Sequence, residues 1–115
     1  MTRTKRYRLR GVHFLYDPSN IEPRHGHEYF LEVSVDADVP VEAMDQSVES
    51  AILKPWDMQD WNTKNLAQAS GELLVERFDA LLRETELGKS LVAVVLRETR
   101  KNRFISARSQ LAHSE

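Results

Sequence analysis

His25-Gly26-His27-Glu28-Tyr29-Phe30-Leu31-Glu32-Val33-Ser34-Val35 is the stretch from which the fold class can be read. His25, His27, Tyr29, Leu31, Val33 and Val35 recur at every second position, with Glu28, Glu32 and Ser34 between them. Successive side chains of an extended chain point to opposite faces, so this period predicts a half-buried antiparallel strand. The same period runs upstream, where Tyr7, Leu9, Gly11, His13 and Leu15 share one side and Arg8, Arg10 and Val12 the other. Between the two strands, Tyr16-Asp17-Pro18-Ser19-Asn20 is turn chemistry.

From Val41 the period changes. Met44, Val48 and Ile52 are spaced by four, with Glu42, Asp45 and Glu49 between them, which predicts a short amphipathic helix. It should end near Pro55, because the residue before a proline avoids the helical region. Residues 56–69 are mixed and read as loop. Ser70 is placed as an N-cap, with Glu72 in the first turn against the helix dipole. Leu74, Phe78, Leu81 and Leu82 form the stripe of a second helix, which Gly88 stops. Leu91 to Leu96 is a short, β-branched apolar run and reads as a buried strand. Arg100 to Arg103 makes a polar turn into a last strand, Phe104 to Arg108, after which the end looks frayed. The order is strand, strand, helix, helix, strand, strand, expected as a single domain over 1–115.

Lys+Arg 16 against Asp+Glu 18 leaves a formal net charge of -2, which gives no electrostatic case for a nucleic-acid partner. The Arg3 to Arg10 cluster alternates with Tyr7 and Leu9 and reads first as the polar face of an edge strand. No apolar run approaches the roughly 20 residues of a membrane span. No apolar signal core follows the basic N-terminus, so a cytoplasmic location is the expectation. There is no cysteine, which excludes disulfides and thiolate metal sites.

His25-Gly26-His27 places two imidazoles on one face of an extended chain, and the glycine between them allows close approach to the backbone. His13 shares the side of the first strand that carries Tyr7 and Leu9. If the two strands pair with apolar faces together, three imidazoles converge. Three neutral histidines with a vacant fourth position are the ligand set of a catalytic zinc. An isolated HxH pair also occurs by chance on surface strands; three of the chain's four histidines on matched faces favours zinc.

These residues also carry a resemblance. Over nearly its whole length the chain resembles the family of 6-pyruvoyltetrahydropterin synthase and 6-carboxytetrahydropterin synthase. That family's aromatic residue six before a ligand histidine is matched by Tyr7 and His13, and its HGH-aromatic motif by His25-Gly26-His27-Glu28-Tyr29. Its AIxKPLDHxxLN segment is matched by Ala51-Ile52-Leu53-Lys54-Pro55-Trp56-Asp57-Met58-Gln59-Asp60-Trp61-Asn62. Its Thr-x-Glu corresponds to Ser70-Gly71-Glu72 and its Glu-Thr to Glu98-Thr99.

The resemblance implies an α+β T-fold. This is a four-stranded antiparallel sheet with two helices on one face (ββααββ), closing a barrel as a homotrimer or homohexamer with sites between subunits. It implies zinc on His13, His25 and His27, and a small-molecule pterin held by Glu98, Thr99, Ser70 and Glu72. Glu98 would accept two hydrogen bonds from the pterin's amino-pyrimidine edge; without the resemblance, an exposed strand-end charge is the favoured reading.

Two departures stand out. The family's cysteine, four positions before HGH, falls on Ile21 or Asn20, but Glu22-Pro23-Arg24-His25-Gly26-His27 reads as ExxHGH. This looks like a variant branch in which glutamate replaces the cysteine and the side chain of 7,8-dihydroneopterin triphosphate is cleaved to give 6-hydroxymethyl-7,8-dihydropterin. Glu22 beside a metal can serve as base once burial lifts a carboxylate toward neutral; otherwise it is a solvated loop carboxylate. Second, the family's Asp-His pair reads Asp57-Met58, and methionine cannot relay protons. Trp56 and Trp61 replace leucines and either narrow the pocket or pack a subunit interface.

The expected function is therefore a zinc-dependent lyase acting on 7,8-dihydroneopterin triphosphate, with Glu22 as base and Asp57 assisting. The alternative is a divergent member that binds zinc and a purine- or pterin-like ligand with different chemistry or none.

Overall fold

A computed structural model describes residues 1–13, 16–17, 20–21, 25–60, 71–98 and 102–113, with side chains over 1–11, 28–59, 71–98 and 102–110. Its long strands are those the two-residue period predicts. β1 (Thr2–His13) and β4 (His25–Asp36) pair antiparallel from Thr2↔Asp36 to His13↔His25. Between them, β2 (Tyr16–Asp17) and β3 (Asn20–Ile21) form a small hairpin at the expected turn.

The first helix is α1 (Val41–Val48), and helical backbone continues through a π-helical stretch at Glu49–Leu53 into α2 (Lys54–Trp56). The helical run ends at Trp56, one residue past Pro55 and close to the expected stop. Lys54 keeps helical angles (φ -57, ψ -52) although a proline follows. A π turn widens the i→i−4 ladder at the point where Pro55 has no N–H to offer it. β5 (Gln59–Asp60) follows inside the segment expected as loop. Next come α3 (Gly71–Arg83), a 3-10 turn at Glu86–Lys89, β6 (Leu91–Glu98) and β7 (Arg103–Ile105). Gly88 sits in that 3-10 turn, where a Cβ would stand 2.2 Å from the Arg83 carbonyl oxygen.

The last strand was expected over Phe104 to Arg108, but it stops at Ile105 and α4 (Ala107–His113) follows. Ser106 makes the switch. Its Oγ accepts from the Ser109 N–H at 3.3 Å, and Glu76 accepts the Ala107 N–H, so two otherwise orphaned donors of the new helix are met. Ser106 Oγ also donates to the buried Asp79 of α3 at 2.7 Å, and Ser109 Oγ accepts the Val94 N–H at 2.9 Å. Arg83 completes this network by an i,i+4 bond to Asp79.

The sheet order is β5-β1-β4-β6-β7. β1, β4, β6 and β7 make the expected four-stranded antiparallel sheet, and β5 adds two parallel pairs at Gly11 and Val12. Tyr7, Leu9, Tyr29, Leu31, Val33, Val35, Val94 and Leu96 bury one sheet face against Met44, Val48 and Ile52 of the first helical run and Leu74, Val75, Phe78 and Leu82 of α3. A register shift after Ser34 pairs Ser34 with Ala93 and Val35 with Leu91. The extra β6 residue at this bulge lets both Leu91 and Val94 join one core. The fold class is α+β, with both amphipathic helices on one face of the sheet. Asp45 ties α1 down, accepting from Lys5 Nζ and from the Tyr7 hydroxyl, each at 2.7 Å.

The opposite sheet face carries an ionic ladder. Glu32 accepts from Arg97 at 2.5 Å and from Arg6 at 2.9 Å, and Glu28 accepts from Arg8 at 2.8 Å. Burial raises the Glu32 carboxyl pKa, but the Arg97 and Arg6 hydrogen bonds and charges outweigh it, and the net pKa is lowered. A lowered folded pKa stabilises the fold above the ordinary carboxylate range, and the stabilisation is lost as pH falls through the folded value. Glu32→Gln should therefore melt below the wild-type chain at pH 7, and the gap should close below about pH 4. A gap independent of pH in thermal melts would contradict this assignment.

Candidate metal and ligand site

The β1–β4 register sets position 13 directly opposite position 25, and position 27 opposite Gly11. Residues directly opposed in an antiparallel pair share a face, with Cβ atoms about 4.5–5.5 Å apart. Positions 13, 25 and 27 thus continue the register parity of Leu9, Tyr29 and Leu31, the strand positions that face the helices. The backbone brings the three predicted ligands to one end of one sheet face; their side chains lie outside the described residues. The donor set, three neutral imidazole nitrogens with no thiolate, fits zinc with a position left for substrate. Among the described residues, no group of three or more His, Cys, Asp or Glu is placed to hold a metal ion.

Glu98 comes to the same end. It pairs with Tyr29, which also pairs with Leu9, so its position lies on the helix-side face two residues from that of His27. Two residues of strand are about 7 Å. Asn102 holds the end of β6: the Glu98 N–H donates to the Asn102 carbonyl at 2.9 Å, and Asn102 Nδ2 reaches Glu98 Oε2 at 3.4 Å. Tyr29 is buried, and burial, with a further push from the Glu98 charge, raises its phenol well above the ordinary value. Sequence reasoning placed Tyr29 in a motif but assigned it no role beside Glu98.

Of the remaining predicted residues, the structure describes Glu72, Trp56, Asp57 and Met58. Glu72 is exposed on the first turn of α3 and lines a surface cavity of about 340 Å³ with Arg103, Phe104 and Gln110. Glu22, Ser70 and Thr99 lie outside the described residues, as do Trp61 and the His113 side chain. Trp56 is buried in the core, edge-to-face with Phe78 at 5.0 Å between ring centroids.

Asp57, expected to assist proton transfer, has both carboxylate oxygens engaged. Oδ1 accepts the Arg10 main-chain N–H at 2.8 Å and Oδ2 the Arg10 guanidinium at 3.2 Å. Met58, which follows Asp57, has φ 63 and is 66% exposed. Sequence reasoning missed Arg10: 47 residues separate it from Asp57, and no local pattern links them.

No protein-family model and no curated protein matches the chain. Solved structures do match its fold. The 6-pyruvoyl tetrahydropterin synthase of Caenorhabditis elegans superposes with a TM-score of 0.78 at 16% identity, over 91% of this chain and 93% of that one. The Plasmodium vivax 6-pyruvoyl tetrahydropterin synthase gives 0.57 at 12% identity, over 90% and 95%. At such identities the likeness is one of fold, and the chain has the sheet-and-helix architecture found in these two synthases.

Proposed function

We propose that the chain is a zinc-dependent, pterin-synthase-like lyase acting on 7,8-dihydroneopterin triphosphate. The observation that carries this reading is the strand register, which sets His13 against His25 with His27 next to it and places Glu98 at the same end of the same face. The pterin ring would lie against that end, with the Glu98 carboxylate accepting two hydrogen bonds from its amino-pyrimidine edge. Thr99, Ser70 and Glu72 would bound the ring. Glu22, three residues before His25, would take a proton from the substrate side chain. Bound zinc would supply a Lewis acid for the side-chain oxygens. The shared fold of the two synthases supports the substrate class.

Assembly enters the same proposal. Among the described residues, β5 covers the outer edge of β1 only at Gly11 and Val12, and Thr2–Leu9 is left without a neighbouring strand on that side. A long unpaired edge is a template for strand pairing, and closure of sheets into a barrel by a homotrimer or homohexamer removes it. Sites would then form between subunits.

Met58 favours a second reading. A residue that cannot carry protons, exposed where relatives hold a histidine, suits a divergent protein that binds zinc and a purine- or pterin-like ligand with other chemistry. Incubation of the zinc-loaded protein with dihydroneopterin triphosphate decides between them. A 6-substituted pterin product is expected; tight zinc without any product leaves the divergent reading.

A further inference from the structure

Arg10 lies three residues before His13, and both of its main-chain groups on the outer side of the sheet are engaged. Its N–H donates to Asp57 Oδ1 at 2.8 Å, and its carbonyl accepts the Met58 N–H at 2.6 Å. Its guanidinium reaches Asp57 Oδ2 at 3.2 Å. Immediately beyond, Gly11 and Val12 pair with Gln59 and Asp60. The end of β1 that bears His13 is thus held by β4 on one side and by residues 57–60 on the other. Asp57 is itself anchored to the helical run, its N–H donating to the Leu53 carbonyl at 2.8 Å.

Holding the chain this way strains it. Met58 sits at φ 63, in the left-handed region that is unfavourable for a residue with a Cβ. Such a conformation persists where its surroundings over-determine it, and here the Arg10 carbonyl and the neighbouring Asp57 carboxylate do so. A carboxylate with one oxygen on a main-chain N–H and the other on a guanidinium is a charge-assisted clamp.

We propose that Asp57 is a positioning residue of the histidine site, which acts through Arg10 to hold the end of β1 so that His13 stands against His25. This rests on the metal reading above and replaces direct proton transfer by Asp57 with a mechanical role. It also accounts for how Met58 can follow Asp57: a clamp needs no proton relay beside it.

Zinc affinity, measured by competition with a chromophoric chelator, tests the proposal in the wild-type chain, Asp57→Ala and Asp57→Asn. Asparagine keeps an oxygen for the Arg10 N–H but cannot carry a proton as a carboxylate does. Asp57→Ala should weaken zinc about 10–100-fold, as loss of a group that orients a metal ligand does. Asp57→Asn should cost less than about fivefold, the price of one charge-assisted bond becoming neutral. Amide exchange at Val12 and His13 in the metal-free protein should quicken in the alanine variant alone.

Equal zinc affinity in Asp57→Ala and wild type would overturn the proposal. So would an Asp57→Asn variant that keeps zinc but loses pterin turnover, because that pattern marks a proton carrier. If the alanine variant does not fold, retention of both zinc and turnover by the asparagine variant supports the clamp. A wild-type chain without tight zinc would sink the metal reading itself, an outcome distinct from failure of the clamp alone.

Discussion

Phe78→Ala is expected to cost about 3–5 kcal/mol of folding stability, the usual range for deleting a fully buried ring. Phe78 has no exposed surface and meets Trp56 edge-to-face at 5.0 Å. That contact joins α3 to the end of the first helical run, so the cavity would open where both helices meet the sheet. Domains of this size are stable by about 5–15 kcal/mol, and the loss would take a large fraction of that. Denaturant titration should show the midpoint falling sharply with an unchanged slope. A loss below about 1 kcal/mol would mean that the ring is not a core element.

The second large effect concerns the metal. His25→Ala or His27→Ala should weaken zinc at least about a hundredfold, beyond the 10–100-fold attributed to groups that only orient a ligand. His113→Ala should leave affinity unchanged. Its position, at the end of α4, is remote in sequence from the β1–β4 register, and it serves as the control for unspecific histidine binding. Loss of zinc in the His113 variant, or its retention in the His25 variant, would move the site elsewhere.

Much of the scaffold could be read from periodicity, for definite physical reasons. β1 and β4 are half-buried, so their pattern alternates: Leu31 and Val33 are fully buried, while Glu28 and Glu32 join the ionic ladder on the other face. α3 is an amphipathic helix on one face of a sheet, and its stripe of Leu74, Phe78 and Leu82 is the buried one. Reading failed where a local rule met a tertiary alternative. The helix ends one residue past Pro55, close to where it was expected to stop, but Lys54 before the proline keeps helical angles after a π turn. Residues 106–108 look like a strand continuation, yet Ser106, Glu76 and Asp79 together make helix the better-satisfied choice. Two of those partners lie on another element and leave no mark near Ser106.

The candidate site divides in the same way. Three histidines of matched parity are legible because a period of two dictates which positions share a face, whereas the His13↔His25 pairing is a matter of register that only the structure supplies. Glu98 opposite Tyr29 depends on the β4–β6 register, which no short pattern encodes. Asp57 was recognisable as a family motif residue, but its use was not. The clamp on Arg10 is a contact across 47 residues between a strand edge and a helix terminus. The positive φ of Met58 is still less legible, because methionine has no preference for that region and is held there by its neighbours.

X-ray absorption at the zinc edge on the metal-loaded wild-type protein addresses the histidine site most directly. A site built from His13, His25 and His27 predicts one zinc per chain, with three imidazole nitrogens at about 2.0–2.1 Å and one lighter-atom ligand completing a tetrahedron. Substoichiometric metal, or a first shell dominated by oxygen in six-fold coordination, would contradict it.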